Sequence, residues 1–302
     1  MEQITNYLAP VVLFTYKRLD TLKLTVEALQ KNYLAKASDL IIYSDGAKNE
    51  KDNIAVQNVR DYLKTITGFK SITVHESPIN KGLATSIING VTEVLQNYET
   101  VIVLEDDLVS SRNFLNYMNE ALNFYKSERR VFSIAGFSIP IKTNKPGDAY
   151  FTVRSSSWGW ATWKNRWEDI DWQAKDYPSF KGDSKLRSAF NKMGSDMSQM
   201  LDRQMSGKLN SWAIRWCYHQ FKHNIYSVHP IISKIDNVGF GSSDASNTKE
   251  KFNRFATKLD SGTEVKFRFS TEIKLDSKII KQFTKPFSII NRIKYKLIHL
   301  FF

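Results

Sequence analysis

Four short apolar runs, each closed by a polar cluster and followed by a helix-like stretch, constrain this chain more than any other feature. Val11–Thr15, Leu40–Ser44, Ser71–His75 and Thr100–Leu104 are built mainly from aliphatic and β-branched residues. Between them, Leu19–Lys31, Asn53–Lys64 and Leu83–Leu95 carry apolar residues at helical spacing. Short strands separated by helices of about 10–15 residues predict βαβ units and a parallel sheet. The runs close on Lys17-Arg18, Asp45-Gly46, Asn80-Lys81-Gly82 (one turn past the third run) and Glu105-Asp106-Asp107. In open α/β sheets a ligand sits outside the carboxyl ends of the strands, so these clusters are expected to build one pocket.

The acidic run is the most informative cluster. Three acids directly after a buried strand raise one another's pKa and are costly unless something positive sits against them. Hard oxygen ligands at a strand end suit Mg²⁺ or Mn²⁺ bridging to a diphosphate, where the protein gives only one or two carboxylates. A solvated acidic turn or a helix N-terminus is the competing explanation, since Asp and Glu favour first turns. Asp45 can accept a hydrogen bond from an imide N–H such as uracil presents, or serve only the Asp-Gly turn. Arg18 and Lys81 can meet a diphosphate, although solvated surface is the commoner fate of a lone basic residue. Gly82 lets the backbone come close to a nucleotide or merely caps the helix that follows.

Strand–Glu-Asp-Asp-Leu at the fourth run resembles the GT-A glycosyltransferases, most of all the N-acetylglucosaminyltransferase I type and related bacterial polysaccharide glycosyltransferases. The similarity extends over about residues 10–240. It implies a GT-A, Rossmann-like fold: a mixed, mostly parallel sheet flanked by helices. It also implies a metal-dependent, inverting transfer from a nucleotide-sugar, a UDP-sugar by the nature of Asp45. On this resemblance Asp107 binds the metal, Asp106 contacts the ribose and Glu105 the donor sugar. Arg18 matches the basic residue closing the first strand, Asp45 the acid that reads uracil, and Asn80-Lys81 the position facing the nucleotide.

The second half is less regular. Tyr150–Arg154 and Ile225–Pro230 read as strands, Ser184–Gln204 and Ser211–His223 as helices, Val265–Phe269 as an edge strand, and Asn237–Asn247 as a loop. Trp158-Gly159-Trp160 offers flat apolar faces on which an acceptor sugar can stack, so Trp158 and Trp160 are the acceptor-binding candidates, while Trp163, Trp167 and Trp172 read as structural. An inverting transfer needs a carboxylate to take the acceptor proton. The resemblance places it before a Trp at a helix start, but Asn210-Ser211-Trp212 lacks it. Asp202 is the nearest acid and the candidate base, with Asp169 and Asp171 next. His229 and the Asn237–Asn247 loop are candidates to close over the diphosphate, and a GT-A metal site sometimes takes a late His; a strand-end histidine before Pro230 with its hydrogen bonds satisfied is the alternative.

Charge and composition bound the remaining possibilities. A hydrophobic content of 42% and a charged content of 25% are those of a folded globular chain. No apolar run is long enough to span a bilayer, and the one cysteine, Cys217, fits a reducing compartment. The net charge is +12, and the six basic residues after Asp276 face no further acid. Interleaved with Phe287, Ile289, Ile290, Ile293, Leu297, Ile298, Leu300, Phe301 and Phe302, they predict a C-terminal amphipathic helix on an anionic membrane face; a helix packed on its own domain is the alternative. No nucleic-acid recognition motif accompanies the charge.

The expected organisation is a glycosyltransferase domain over 1–276, with a nucleotide-sugar-binding half (1–110) and an acceptor half (111–276), and a basic tail over 277–302. The expected location is cytoplasmic, peripheral on the inner face of the plasma membrane, acting on a saccharide or lipid-linked acceptor in cell-surface polysaccharide synthesis. Two other classes stay open. A sugar nucleotidyltransferase needs a glycine-rich loop after the first strand, and Phe14–Arg18 has no glycine. A non-catalytic carbohydrate- or membrane-binding protein is compatible with the missing carboxylate near Trp212.

Overall fold

The computed structural model describes residues 8–240 and 255–301. The strands are β1 (Val11–Thr15), β2 (Asp39–Ser44), β3 (Ser71–Glu76), β4 (Thr100–Glu105), β5 (Leu108–Ser110), β6 (Val131–Ala135), β7 (Ala149–Thr152), β8 (Trp160–Trp163), β9 (Tyr226–Pro230) and β10 (Ile235–Asn237). The helices are α1 (Leu19–Gln30), α2 (Asn53–Leu63), α3 (Leu83–Asn97), α4 (Phe114–Phe124), α5 (Lys164–Trp167), α6 (Tyr177–Gly182), α7 (Ser184–Phe190), α8 (Met197–Met205), α9 (Trp212–His223), α10 (Ser277–Thr284) and α11 (Ile289–Phe301). Eight strands form one sheet in the order β3-β2-β1-β4-β8-β6-β9-β7, and β5 pairs with β10 in a separate ladder. β3, β2, β1 and β4 are mutually parallel, as are β6 and β9, whereas β8 and β7 run antiparallel to their neighbours. The fold is thus a mixed, mostly parallel, Rossmann-like α/β sheet flanked by helices.

The alternation of side chains along each strand divides the core between the two faces. Val11, Leu13, Leu40, Ile42, Ile102 and Leu104 pack with Leu22, Val26 and Leu29 of α1, Val59 of α2 and Met118 of α4. Val12, Phe14, Val101 and Val103 join Ile87 and Val91 of α3 and Trp212 and Trp216 of α9. Burial on both faces is why these strands read as unbroken apolar runs rather than as alternating ones. The register sets Phe14 beside Tyr43 on one side and Glu105 on the other, so the first and fourth polar clusters emerge at one sheet edge.

Several expectations are corrected. The helix expected over Ser184–Gln204 is two helices, interrupted at Gly194, where an added β-carbon would overlap the Arg154 guanidinium and approach Asp196 Oδ1 to 2.6 Å. Val265–Phe269 is not a strand. Its backbone is held by side chains instead: Phe267 N donates to Glu120 Oε2 at 3.0 Å and Arg268 N to Asp148 Oδ2 at 2.8 Å. Trp160–Trp163, not expected as a strand, forms β8 between β4 and β6.

The chain from 277 onward does not form one free helix. Asp276 caps α10 through Lys278 N and Ile279 N, and Ile279, Phe283 and Phe287 are buried in the main core. At about 1.5–3 kcal/mol for each such side chain, that docking is substantial. Only α11 carries exposed apolar residues, Ile289, Ile290, Ile293 and Leu297. Among the described residues no helix is long and apolar enough to cross a membrane. Of the residues expected to matter, part of the Asn237–Asn247 loop and Phe302 lie outside the described residues.

Candidate active site

The carboxyl ends of β1, β2 and β4 and the loop before α3 surround one cleft of about 410 Å³. Asp106 is buried at its floor and accepts from Thr15 Oγ1 at 3.1 Å and from Tyr16 N at 3.3 Å. The Arg18 guanidinium bridges the two aspartates, pairing with Asp106 through Nη2 and lying 3.0 Å from Asp107 Oδ2 through Nη1. Burial works against the charge on Arg18, but Asp106 and then Asp107 outweigh it and hold its pKa above the ordinary value. Glu105 forms no ion pair among the described residues. Burial, and then the charges of Asp107 and Asp106, push its pKa up.

β10 completes this corner. Its pairing with β5 sets Asn237 opposite Leu108, and Val238 N donates to the Asp107 carbonyl at 2.9 Å. The chain then passes so close to Asp107 that Gly239 has no room for a side chain. Asn237 and Gly239 therefore line the cleft, at the start of the Gly/Ser/Asn-rich stretch that the sequence singles out over Asn237–Asn247.

Asp45 has a structural task. Its Oδ1 accepts from Lys81 N at 2.8 Å and Gly46 N at 3.0 Å, and its Oδ2 from Gly82 N at 2.9 Å. Asn80 Nδ2 donates to the Gly46 carbonyl at 2.8 Å, so the loops after β2 and β3 are tied together. Gly46 sits against the Ile79 backbone, where a β-carbon would lie 2.8 Å from Ile79 Cα, and Gly82 takes φ +74° at the start of α3. Asp45, Asn80 and Gly82 line the cleft. Lys81 does not line it: the residue is exposed, and its part is the backbone N–H donated to Asp45.

An aromatic tier backs the cleft: Phe14 and Tyr43 stack with centroids 5.3 Å apart, and Tyr43 stacks on His75 at 4.7 Å. Tyr16 donates to Asp52 Oδ2 at 2.7 Å, and Lys17 pairs with Asp52 at 2.8 Å. Lys17 belongs to the cluster expected at the end of the first run, whereas Tyr16 was not singled out, because a lone Tyr after a strand has no distinguishing spacing.

A second, larger cavity of about 1270 Å³ adjoins the cleft, and the two share Ser157, Trp158 and Asn210. Trp158 stands at the junction, packed edge-on against Phe137 with centroids 4.5 Å apart. Trp160 does not reach either space. It is 1% exposed and packs against Trp216 at 4.4 Å, Trp212 at 5.0 Å and Trp167 at 5.6 Å, so the expectation of an acceptor platform there is overturned by burial.

The expected base is also misplaced. Asp202 lines neither cavity. Arg187 grips both its oxygens, at 2.8 and 2.7 Å, Tyr177 OH donates to Oδ1 at 3.0 Å, and the Arg187 hydrogen bonds hold its pKa below the carboxylate range. Asp169 pairs with Arg129 at 3.6 Å, and Asp171 accepts from Gln173 N and Lys175 N. The acid that does line the larger cavity is Asp196, which the sequence did not distinguish; it pairs with Arg154 at 3.3 Å. His229 lies in the wall of that cavity, away from the acidic cluster. Burial lowers its pKa to about 4, and its ring nitrogens face the carbonyls of Phe137 at 3.0 Å and Arg154 at 3.3 Å.

No protein-family model and no curated protein matches the chain. Among solved structures it is similar to a mannosyltransferase from Pyrobaculum calidifontis in complex with GDP-mannose and Mn²⁺, at 13% identity and a TM-score of 0.38, covering 54% of this chain and 46% of that one. It is also similar to TarS of S. aureus, at 13% identity and a TM-score of 0.37, covering 54% and 30%. WbbM, a bifunctional glycosyltransferase, follows at 8% identity and a TM-score of 0.28, covering 45% and 24%. The matched part thus spans less than half the length of each of these proteins.

Proposed function

We propose that the chain is a metal-assisted glycosyltransferase that binds a nucleoside diphosphate sugar, a UDP-sugar, in the cleft at the strand ends. The observation carrying this reading is the convergence of Arg18, Glu105, Asp106 and Asp107 with the Asp45-braced loop at Asn80 and Gly82. Asp106 and Asp107 share one guanidinium, which leaves negative charge for a cation to neutralise. Among the described residues no three His, Cys, Asp or Glu side chains are grouped as ligands of one ion. Asp107, with Asp106 beside it, would offer the hard carboxylate oxygens that suit Mn²⁺ or Mg²⁺ when a diphosphate is bound. When bound, the ion would neutralise the diphosphate as the glycosidic bond breaks.

The rest falls to the chain itself. Arg18 holds the aspartates in place and supplies the fixed positive charge. The Asp45-braced turn presents backbone and Asn80 to the nucleotide, and Tyr43 on Phe14 gives it an apolar wall. The acceptor enters through the larger cavity, with Trp158 at the junction as the face on which its sugar stacks. The product would belong to cell-surface polysaccharide synthesis at the cytoplasmic face of the plasma membrane.

Titrating the full chain with UDP in the presence and absence of Mn²⁺ tests this. Binding that needs Mn²⁺ and is abolished by Asp107→Ala, with unchanged thermal stability, is expected; metal-independent binding of equal strength in the variant would refute the assignment. A non-catalytic carbohydrate-binding role has one observation in its favour, the engagement of Asp202 and Asp196 in ion pairs. UDP-sugar hydrolysis separates the two readings, because a binding protein releases no UDP.

A further inference from the structure

We propose that the larger cavity receives a lipid-borne acceptor through its phosphate, with the lipid leaving along α11; this rests on the adjoining cleft being the donor site. Four observations converge. First, the volume of about 1270 Å³ exceeds the usual small-molecule range of about 300–1,000 Å³, and far exceeds what one sugar ring fills. Second, the space runs into the cleft at Ser157, Trp158 and Asn210, so a molecule seated in it would present one end to the reacting centre.

Third, the lining divides by chemistry. Arg154, Arg203, Lys208, Arg292 and Lys296 face one acid, Asp196, which Arg154 already neutralises. Arg203, Lys208 and Lys296 have no ion-pair partner among the described residues, a surplus that calls for an anion. The apolar wall is aromatic: Phe240, Phe255, Phe283 and Phe287 stand beside Trp158. A bare polysaccharide has no anion for these cations, and the nucleotide is already taken by the adjoining cleft, whereas a prenyl phosphate matches both the cations and the apolar rings.

Fourth, α11 is both wall and rim. Ile289, Arg292, Ile293 and Lys296 line the cavity at the spacing of one helix face. Ile290 and Leu297, 76% and 49% exposed, point away from the core. A chain leaving the cavity would meet that apolar rim at once, and α11 adds Lys294 to the cations next to it.

The test measures binding of farnesyl phosphate and of farnesol, by quenching of tryptophan fluorescence, to the full chain below their aggregation concentrations. The phosphate is expected to bind at least about tenfold more tightly than the alcohol. The triple variant Arg203→Ala/Lys208→Ala/Lys296→Ala, all at exposed positions, should erase that preference and leave UDP–Mn²⁺ affinity unchanged. Equal binding of farnesol, survival of the preference in the triple variant, or displacement of farnesyl phosphate by an equal concentration of inorganic phosphate would overturn the proposal, the last by showing a free-anion site. A chain that takes farnesyl phosphate with this preference but no UDP would support the cavity assignment and fail the donor assignment alone.

Discussion

Gly239 lies directly against Asp107: a β-carbon at residue 239 would overlap the Asp107 carboxylate, 2.9 Å from Cγ, and would stand 3.0 Å from Arg18 Nη1. The carboxylate proposed to hold the metal is thus positioned by backbone from more than a hundred residues further along the chain.

Gly239→Ala is expected to push Asp107 from its place at about the 1–3 kcal/mol that overpacking costs, and so to weaken UDP–Mn²⁺ binding about tenfold or more. Gly182→Ala, where nothing lies within 4 Å, is the control that should change neither binding nor stability. Calorimetric titration of both variants decides the matter. Equal UDP affinity in the two would remove Gly239 from the site.

Arg18→Ala leaves Asp106 buried without its counter-charge. The Arg18 and Asp106 side chains are only 17% and 5% exposed, so the loss belongs with broken buried pairs, about 3–5 kcal/mol. Asp106→Asn in the same chain is expected to recover a large part of it, because the orphaned charge is gone. Urea unfolding of the single and double variants measures both. A double variant no more stable than Arg18→Ala would mean that the cost comes from lost packing.

How much of this was legible depends on range in the chain. β1 to β4 and α1 to α3 could be read closely: β1 and β4 are buried and read as apolar runs, β2 and the mostly exposed β3 are marked by aliphatic and β-branched residues, and a polar cluster follows at or just past each strand end. β8 was hidden because Trp160-Ala161-Thr162-Trp163 is four residues without a clear period, and only β4 and β6 on either side reveal a central strand. Asp45 reads as a turn residue or a base reader, but its oxygens are engaged by Lys81 N and Gly82 N, 36 and 37 residues away. Asp202 was nearest to the expected base position along the chain, yet Arg187 and Tyr177 hold it elsewhere. Gly239 is legible only as part of the Gly/Ser/Asn-rich stretch 237–247, while its approach to Asp107 is a contact across the fold.

Asp202→Asn follows from that placement. The pair with Arg187 is about one-third exposed on each side, so its loss is expected to cost only up to about 1 kcal/mol. UDP-sugar turnover should be unchanged, since the residue lines neither cavity. A loss of turnover by a hundredfold or more with stability intact would restore Asp202 as the base.

His219 predicts an acid sensitivity. The ring is buried between Phe132 and His223, and burial, followed by the charge of His223, lowers its pKa to about 4 from about 6.5 when unfolded. Between these values the unfolded chain binds the extra proton. Stability is therefore complete above about pH 6.5 and falls as the pH drops towards 4, by at most about 1.4 kcal/mol per unit. His219→Gln should flatten part of that slope, with His229 retaining a contribution of the same sign. Melting temperatures at pH 7 and pH 5 provide the measurement; a slope identical in the variant would show that His219 titrates normally.

The two helices after Asp276 should separate by truncation. Removing residues 289–302 takes away Arg292, Lys294 and Lys296 and the exposed Ile290 and Leu297 but spares Ile279, Phe283 and Phe287 in the core. At about 1 kcal/mol for each basic residue near an anionic surface, the three charges alone account for about a hundredfold in vesicle affinity, more at low salt. Removal of residues 277–302 also strips the three apolar anchors and should lower the melting temperature sharply, whereas the shorter truncation should not. Co-sedimentation with phosphatidylserine vesicles at two salt concentrations, read beside thermal melts, separates the contributions. If the shorter truncation still sediments with vesicles at full strength, the membrane contact lies on the sheet domain and not on α11.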